Sequence, residues 1–324
     1  MPKNPVAVVG SARNLMNLVK EVDFDEIRDR AELAPRVLVI SSTEEEARAA
    51  AANVLGEQVD RFVDYRTREQ VVSFDPSRHD VVIVWDPGQT GLFEHVRKAA
   101  GKGRTANIFF LKSEHEAAEE KLRLEIVMAI PDLAPAMGRW FEPFRLASVK
   151  AIIDETSRAN AQFAVVSNLP AVLPLLGSVI AASADLIVLT KNQIMMSYKL
   201  AAANDRDLAD HTGVIRELIP VVGAGFVWRS LAREATSFIP FAAGTIPKAV
   251  IAFAGTYAIG RAVDFYYRFG KKPAGHQMRE FWEQALELMA HIPLPGRDRS
   301  ELDRNAIETH GEVREPDGNG SPDR

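Results

Sequence analysis

Residues 163–190 read FAVVSNLPAVLPLLGSVIAASADLIVLT, with Asp185 the one formal charge, and the 22 residues from Phe163 to Ala184 carry none. A helix rises about 1.5 Å per residue, so about 20 residues cross a hydrocarbon core of about 30 Å and this run is long enough to span a membrane. It is the most uniformly apolar stretch in the chain and divides it in two. The fold class it leads to is α/β plus all-α: an N-terminal Rossmann- or P-loop-like doubly wound domain, then a helical, membrane-associated domain. A mean hydropathy of -0.09 makes any membrane portion a minority of the 324 residues.

The net charge of -5, with no long Lys/Arg block, argues against a nucleic-acid partner, since neutralising phosphates takes a clustered basic face. The absence of cysteine excludes disulfides, thiolate catalysis and cysteine-ligated metals. The N-terminal MPKNPVAVVGSARN has too short an apolar run for a signal peptide, which places the front of the chain in the cytoplasm.

Residues 1–134 alternate apolar β-branched runs with helix patterns. Val6–Val9, Arg36–Ser41, Val81–Trp85 and Ala106–Leu111 read as buried strands. Helices are expected over 14–22, 44–55, 92–100 and 114–130. Thr43 is placed to cap the second of them, with three glutamates following at the positive end of the dipole. Such alternation predicts a largely parallel sheet covered on both faces.

A sheet of this kind often holds nucleotide at the carboxyl ends of its strands, so the parts of a phosphate site have defined places. A P-loop after Val9 needs Gly, Lys and Ser or Thr where Leu15, Met16 and Asn17 stand. The magnesium-binding Asp of a GTPase-like D-x-P-G falls on Trp85, with Asp86 displaced by one position in WDPG. A base-reading N-K-x-D falls on Leu111, Lys112, Ser113 and Glu114, where only the lysine agrees. Two readings follow: a GTPase-like domain that has lost nucleotide binding, or an ordinary α/β domain in which DPGQTG is a turn. Neither supports hydrolysis. His115–Glu119 resembles a zinc-binding H-E-x-x-H helix, but the second imidazole is replaced by Glu119. No catalytic, cofactor-binding or metal-binding residue is expected, and GTP enters only if the site is unorthodox.

Pro131 and Pro135 mark the exit from the first domain. Beyond them Arg139–Gln162 has a helix period, with Trp140 at an expected water–lipid boundary. Three proline–glycine pairs punctuate the apolar region: Pro170 with Gly177, Pro220 with Gly223, and Pro240 with Gly244. Between the first two lies a more polar helix, Asp185–Ala203, on which Asp185, Asn192 and Lys199 recur every seven residues and share a face.

The run AVVSNLPAVLPLLGSVIAASADLIVLTKNQIMMSYKLAAA, preceded by FEPFRLASVKAIIDETSRANAQ and followed by IPKAVIAFAGTYAIGRAVDFYYRFG, resembles the YcjF-type, GTPase-associated domain of unknown function found in bacteria. The resemblance covers residues 140–272. Its most specific pieces are Asn160-Ala161, the LTKNQ run with Met195 and Met196, and Thr256-Tyr257-Ala258-Ile259-Gly260. It implies a helical domain that enters the membrane, partnership with a GTPase domain, and no assigned catalytic residue.

A second apolar stretch, Phe238–Gly260, is interrupted only by Lys248. It leads into Tyr257, Arg261, Phe265, Tyr266, Tyr267 and Arg268, which resemble an aromatic belt beside a cytoplasmic basic cluster. Against a simple hairpin, the segment between the two stretches carries Lys191, Lys199, Arg206 and Arg216, so the supposed outer loop is not depleted of positive charge. In-plane or re-entrant helices and a soluble cytoplasmic bundle are the alternatives. Asp185, Lys191, Asn192, Gln193 and Lys199 form either a polar network facing a partner or a solvated helix face. The helical domain is expected over 139–290, with a helix at Arg279–His291, and the charged 291–324 as a disordered tail. The leading expectation is a non-enzymatic membrane-associated adaptor or scaffold. Its partners are membrane lipid and a GTPase or a second copy. The alternatives are a GTP-binding protein and an oligomeric transport or pore module.

Overall fold

The structure, a computed structural model, describes residues 22–57, 59–72, 74–101, 107–113, 115–166, 178–218 and 245–290, with only the backbone for 178–187, 245–248 and residue 290. The strand expected at Val6–Val9, the P-loop positions after it, the proline–glycine pairs and the tail all lie outside the described residues.

The first half holds α1 (Asp25–Glu32), β1 (Val37–Ser41), α2 (Glu44–Leu55), β2 (Val63–Thr67), β3 (Val81–Trp85), α3 (Leu92–Ala100), β4 (Ile108–Leu111) and α4 (Glu116–Ala129). The four strands form one parallel sheet in the order β2-β1-β3-β4. Alternation decides the two faces. Val37, Val39, Ile83, Trp85, Phe109 and Leu111 pack with α2 and α4. Leu38, Ile40, Val82 and Val84 pack with Leu92 and Val96 of α3. Helices on both faces bury all five residues of β1 and of β3. β1 continues through α2 to β2 on one side, and β3 continues through α3 to β4 on the other. The connections therefore diverge between β1 and β3, beyond Ser41 and Trp85.

The second half holds α5 (Ala134–Trp140), α6 (Arg145–Val166), α7 (Ser178–Ala203), α8 (Thr245–Phe269) and α9 (Gly275–Ala290), with residues 211–218 also helical. The continuous helix expected from Arg139 is broken at Phe141–Phe144, where a 3-10 turn containing Pro143 re-aims the chain. Pro135 does not sit in a linker but in the first turn of α5, where proline needs no N–H partner.

α6 is the axis of this half. Gly260 of α8 faces Ile153 and Thr256 faces Asn160, so α8 runs antiparallel to α6. Asn192 faces Asn160 and Lys199 faces Glu155, so α7 does too. Gly260 is there because a Cβ would lie 2.7 Å from Ile153 Cγ1. Gly138 allows α5 the same intimacy: its Cβ would meet Ala203 and Ser148 at 3.0 Å. One apolar core runs from Val37 and Ile83 of the sheet through Met137, Phe141 and Phe144 to Ile152, Tyr198 and Ile259. It crosses the boundary expected near residues 134–139.

Candidate functional site

The carboxyl ends of β1 and β3 are where a sheet with this strand order offers a ligand crevice. Two helix starts face it, and a carboxylate stands at each: Glu46 in the first turn of α2 and Asp86 in the loop before α3. At α2, Thr43 caps as expected, and Glu46 completes a capping box with it: Glu46 N donates to Thr43 Oγ1 at 3.2 Å and Thr43 N to Glu46 Oε2 at 3.3 Å. The same Glu46 oxygen accepts from the buried Ser41 Oγ at 2.8 Å.

At α3 the cap is Asp86. Its Oδ1 accepts from Thr90 N at 2.8 Å and Thr90 Oγ1 at 2.9 Å, and its Oδ2 accepts from Leu92 N at 3.0 Å. Asp86 is only 2% exposed. Burial by itself would raise its pKa, but the donors from Thr90, Leu92 and Phe93 outweigh this and hold it below the usual carboxylate range. DPGQTG is thus a turn whose aspartate serves its own backbone. Gln89 takes φ +50° and Gly91 φ +82° to make it, and Arg68 Nη1 ties the turn to the end of β2 by donating to Thr90 O at 3.2 Å.

The second concentration of polar groups lies inside the helical half, at the level where α6, α7 and α8 meet. Thr256 Oγ1 donates to Ala252 O at 2.8 Å and accepts from Asn160 Nδ2 at 2.9 Å and Gln193 Nε2 at 3.0 Å. One donor hydrogen and two lone pairs are then all in use. Asn160 Oδ1 accepts from Asn192 Nδ2 at 2.7 Å, which closes the chain of bonds. Asn160, Gln193 and Thr256 are fully buried. Ser197 Oγ donates to Gln193 O at 2.7 Å, while Gln193 Oε1 is buried without a hydrogen-bond partner.

Of the expected polar face, Asn192 and Gln193 therefore join a buried network within the bundle. Lys199 lies 3.8 Å from Glu155 Oε2, and Lys191 is half-buried on the same helix. Asn192 and Lys199 both face α6, as their seven-residue spacing implies; the Asp185 side chain lies outside the described residues. Of the network's other half, Thr256 stands out in the sequence as a polar residue amid apolar helix, whereas Asn160 lies in the polar run DETSRANAQ, and their pairing is a property of the fold.

The residues expected to anchor a membrane interface pack on protein. Trp140 Nε1 donates to Ala31 O at 3.0 Å and its ring meets Phe62 edge-on at 5.0 Å, so it joins α5 to α1 and the sheet edge. Tyr257 stacks on Phe253. Tyr266 Oη donates to Glu217 Oε1 at 2.8 Å, and the Arg206 guanidinium lies over the Tyr267 ring at 5.7 Å. Arg261 and Arg268 flank the buried Asp264 at 3.3 and 3.9 Å.

Among the described residues no helix is long and apolar enough to cross a membrane, and no group of three or more histidines and carboxylates is placed to hold a metal. Glu119, the residue in place of a second zinc-binding histidine, is buried against Arg123, whose guanidinium donates to Val54 O and Asn53 O at the end of α2. The chain matches no protein-family model, and neither the curated proteins nor the solved structures yield a match.

Proposed function

We propose that the chain is a non-enzymatic, membrane-associated adaptor, with a nucleotide-free α/β body that binds a protein partner and a helical body of fixed register that carries it. The observation behind this reading is that Glu46 and Asp86 occupy the α2 and α3 starts. Helix N-termini attract phosphate because their N–H groups are free and their dipoles positive. Here a phosphate would have to displace a carboxylate from a helix start or stand beside it as a like charge. The DPGQTG turn is better suited to holding α3 than to holding magnesium.

The residues that carry the family resemblance support the same reading. Asn160, the LTKNQ amides and Thr256, distant in sequence, meet in one hydrogen-bonded junction, with Gly260 packed one turn away. Their chemistry is that of a lock between helices. For the membrane, the support lies in the uncharged run of residues 163–184 and in the pole to which it connects. By the antiparallel pairing, the end of α6 at Val166 and the starts of α7 and α8 lie at the same end of the bundle, away from the sheet.

Two measurements test the two parts separately. Calorimetric titration of the full chain with GTP, GDP or ATP and magnesium is expected to give no saturable heat, whereas micromolar binding would establish the GTP-binding alternative. Carbonate extraction of cell membranes is expected to leave the protein in the pellet. Its complete release would remove lipid as a partner and leave a soluble adaptor.

A further inference from the structure

The outer edge of β2 has a pattern that matches itself. Among the described residues β2 pairs with β1 alone, in the register Val37↔Val63 to Ser41↔Thr67. Phe62 O accepts from Val37 N, which turns the backbone groups of 62, 64 and 66 toward β1. Those of Val63, Tyr65 and Thr67 consequently point outward, since successive residues alternate. Asp64 and Arg66 share the sheet face of their β1 partners, Leu38 and Ile40. Asp64 spends one oxygen on His79 Nε2 at 2.8 Å and is 75% exposed, and Arg66 has no ion-pair partner among the described residues.

We propose that β2 is a homodimerisation edge, on which a second copy of this chain adds its own β2 antiparallel about a two-fold axis at Tyr65. Centring VDYRT on Tyr65 sets Asp64 opposite Arg66 of the other copy, and Arg66 opposite its Asp64. Both are directly opposed pairs of unlike charge, of the kind that stabilises antiparallel strands. The outward N–H and C=O of Tyr65 make Tyr65 and its symmetry mate a hydrogen-bonded pair that exchanges two bonds. Val63 N–H meets Thr67 C=O on each side. Thr67 N–H already donates to Gln70 Oε1 at 2.9 Å, so the edge forms four backbone bonds rather than six. Unpaired edges are templates for such addition, and the strand carries no proline or bulge to prevent it. A central two-fold on this strand joins two four-stranded sheets into one of eight. The dimer stands independently of nucleotide or membrane binding.

Because the chain has no cysteine, Tyr65→Cys introduces a single thiol at the axis. Opposed residues of a hydrogen-bonded antiparallel pair have Cα atoms about 5.5 Å apart, within disulfide range. The full-length variant, in mild detergent, is expected to form a disulfide dimer under oxidant at least tenfold faster than a Lys98→Cys control on the exposed face of α3. Charge variants guard against a folding defect. Asp64→Lys and Arg66→Glu should each give monomers by light scattering, because each sets like charges opposite. Their equimolar mixture should give dimers, because the introduced lysine then meets the introduced glutamate while the retained Arg66 of one copy meets the retained Asp64 of the other. A wild-type monomer, cross-linking at the control rate, or a mixture that stays monomeric would overturn the proposal.

Discussion

Thr256 shows how much a single hydroxyl can be asked to do. It accepts from two side-chain amides that have no water to turn to and gives its own hydrogen to Ala252 O. Thr256→Val keeps the shape but strands the Asn160 and Gln193 amide hydrogens, each at about 1–3 kcal/mol for a buried unsatisfied donor. Urea denaturation should show a loss of about 3 kcal/mol. Replacing Asn160, Asn192, Gln193 and Thr256 together by Leu, Leu, Met and Val should cost less than the single change, because no polar group is then left unpaired. Asp86 obeys the pH logic of a carboxylate whose folded pKa lies below its unfolded value of about 3.9. Its stabilisation is fully present above about pH 4–5 and is lost as pH falls through the folded value. Asp86→Asn should cost about 2 kcal/mol at pH 7 by losing charge-assisted caps, and the gap to wild type should narrow as pH falls below the ordinary carboxylate range of about 4. Both carboxylates are legible in the sequence, Glu46 through its capping spacing after Thr43 and Asp86 through its turn. The closure of the amide network is not, because Asn160 and Thr256 are 96 positions apart.

At the level of elements, period and punctuation serve where an element is amphipathic or wholly buried. α2, β3 and α3 have the bounds their patterns predict. β2 is invisible for a physical reason: as an edge strand it reads VDYRT, with only Val63 fully buried, so no apolar run announces it. α1 and α5 escape the pattern because both are short and rely on packing, α5 around a glycine and a proline that propensity counts against helix. The close approach of α8 to α6 is a property of the pair. Gly260→Ala must push against Ile153 and should cost about 1–3 kcal/mol by thermal or chemical unfolding. Ile153→Ala, which removes all three of the side-chain atoms the new Cβ would meet, should relieve much of that added cost, a non-additivity that a double-mutant cycle measures directly.

For the whole molecule, two halves that composition and punctuation set apart share one core. Trp140 joins them by bonding Ala31 O and meeting Phe62 of the sheet edge. Sheet and helical half should therefore lose structure together, with far-ultraviolet circular dichroism and tryptophan fluorescence giving coincident transitions. Trp140→Ala should cost about 3–5 kcal/mol and move both probes equally. Aromatic residues near apolar segments read as a membrane belt in one dimension, yet Trp140, Tyr257 and Tyr266 have protein partners in three. Charge and ring type cannot distinguish a lipid interface from a helix interface when both are half-buried. The proposal that Glu46 and Asp86, at the starts of α2 and α3, keep phosphate from the carboxyl end of the sheet is tested most directly by saturating nucleotide. A ligand at about 100 times its dissociation constant raises stability by about 2.7 kcal/mol, enough to move a melting temperature by several degrees. With both carboxylates in place, the full chain should melt at the same temperature with and without millimolar GTP and magnesium. A saturable rise of several degrees, abolished by changing residues at the ends of β1 and β3, would contradict it.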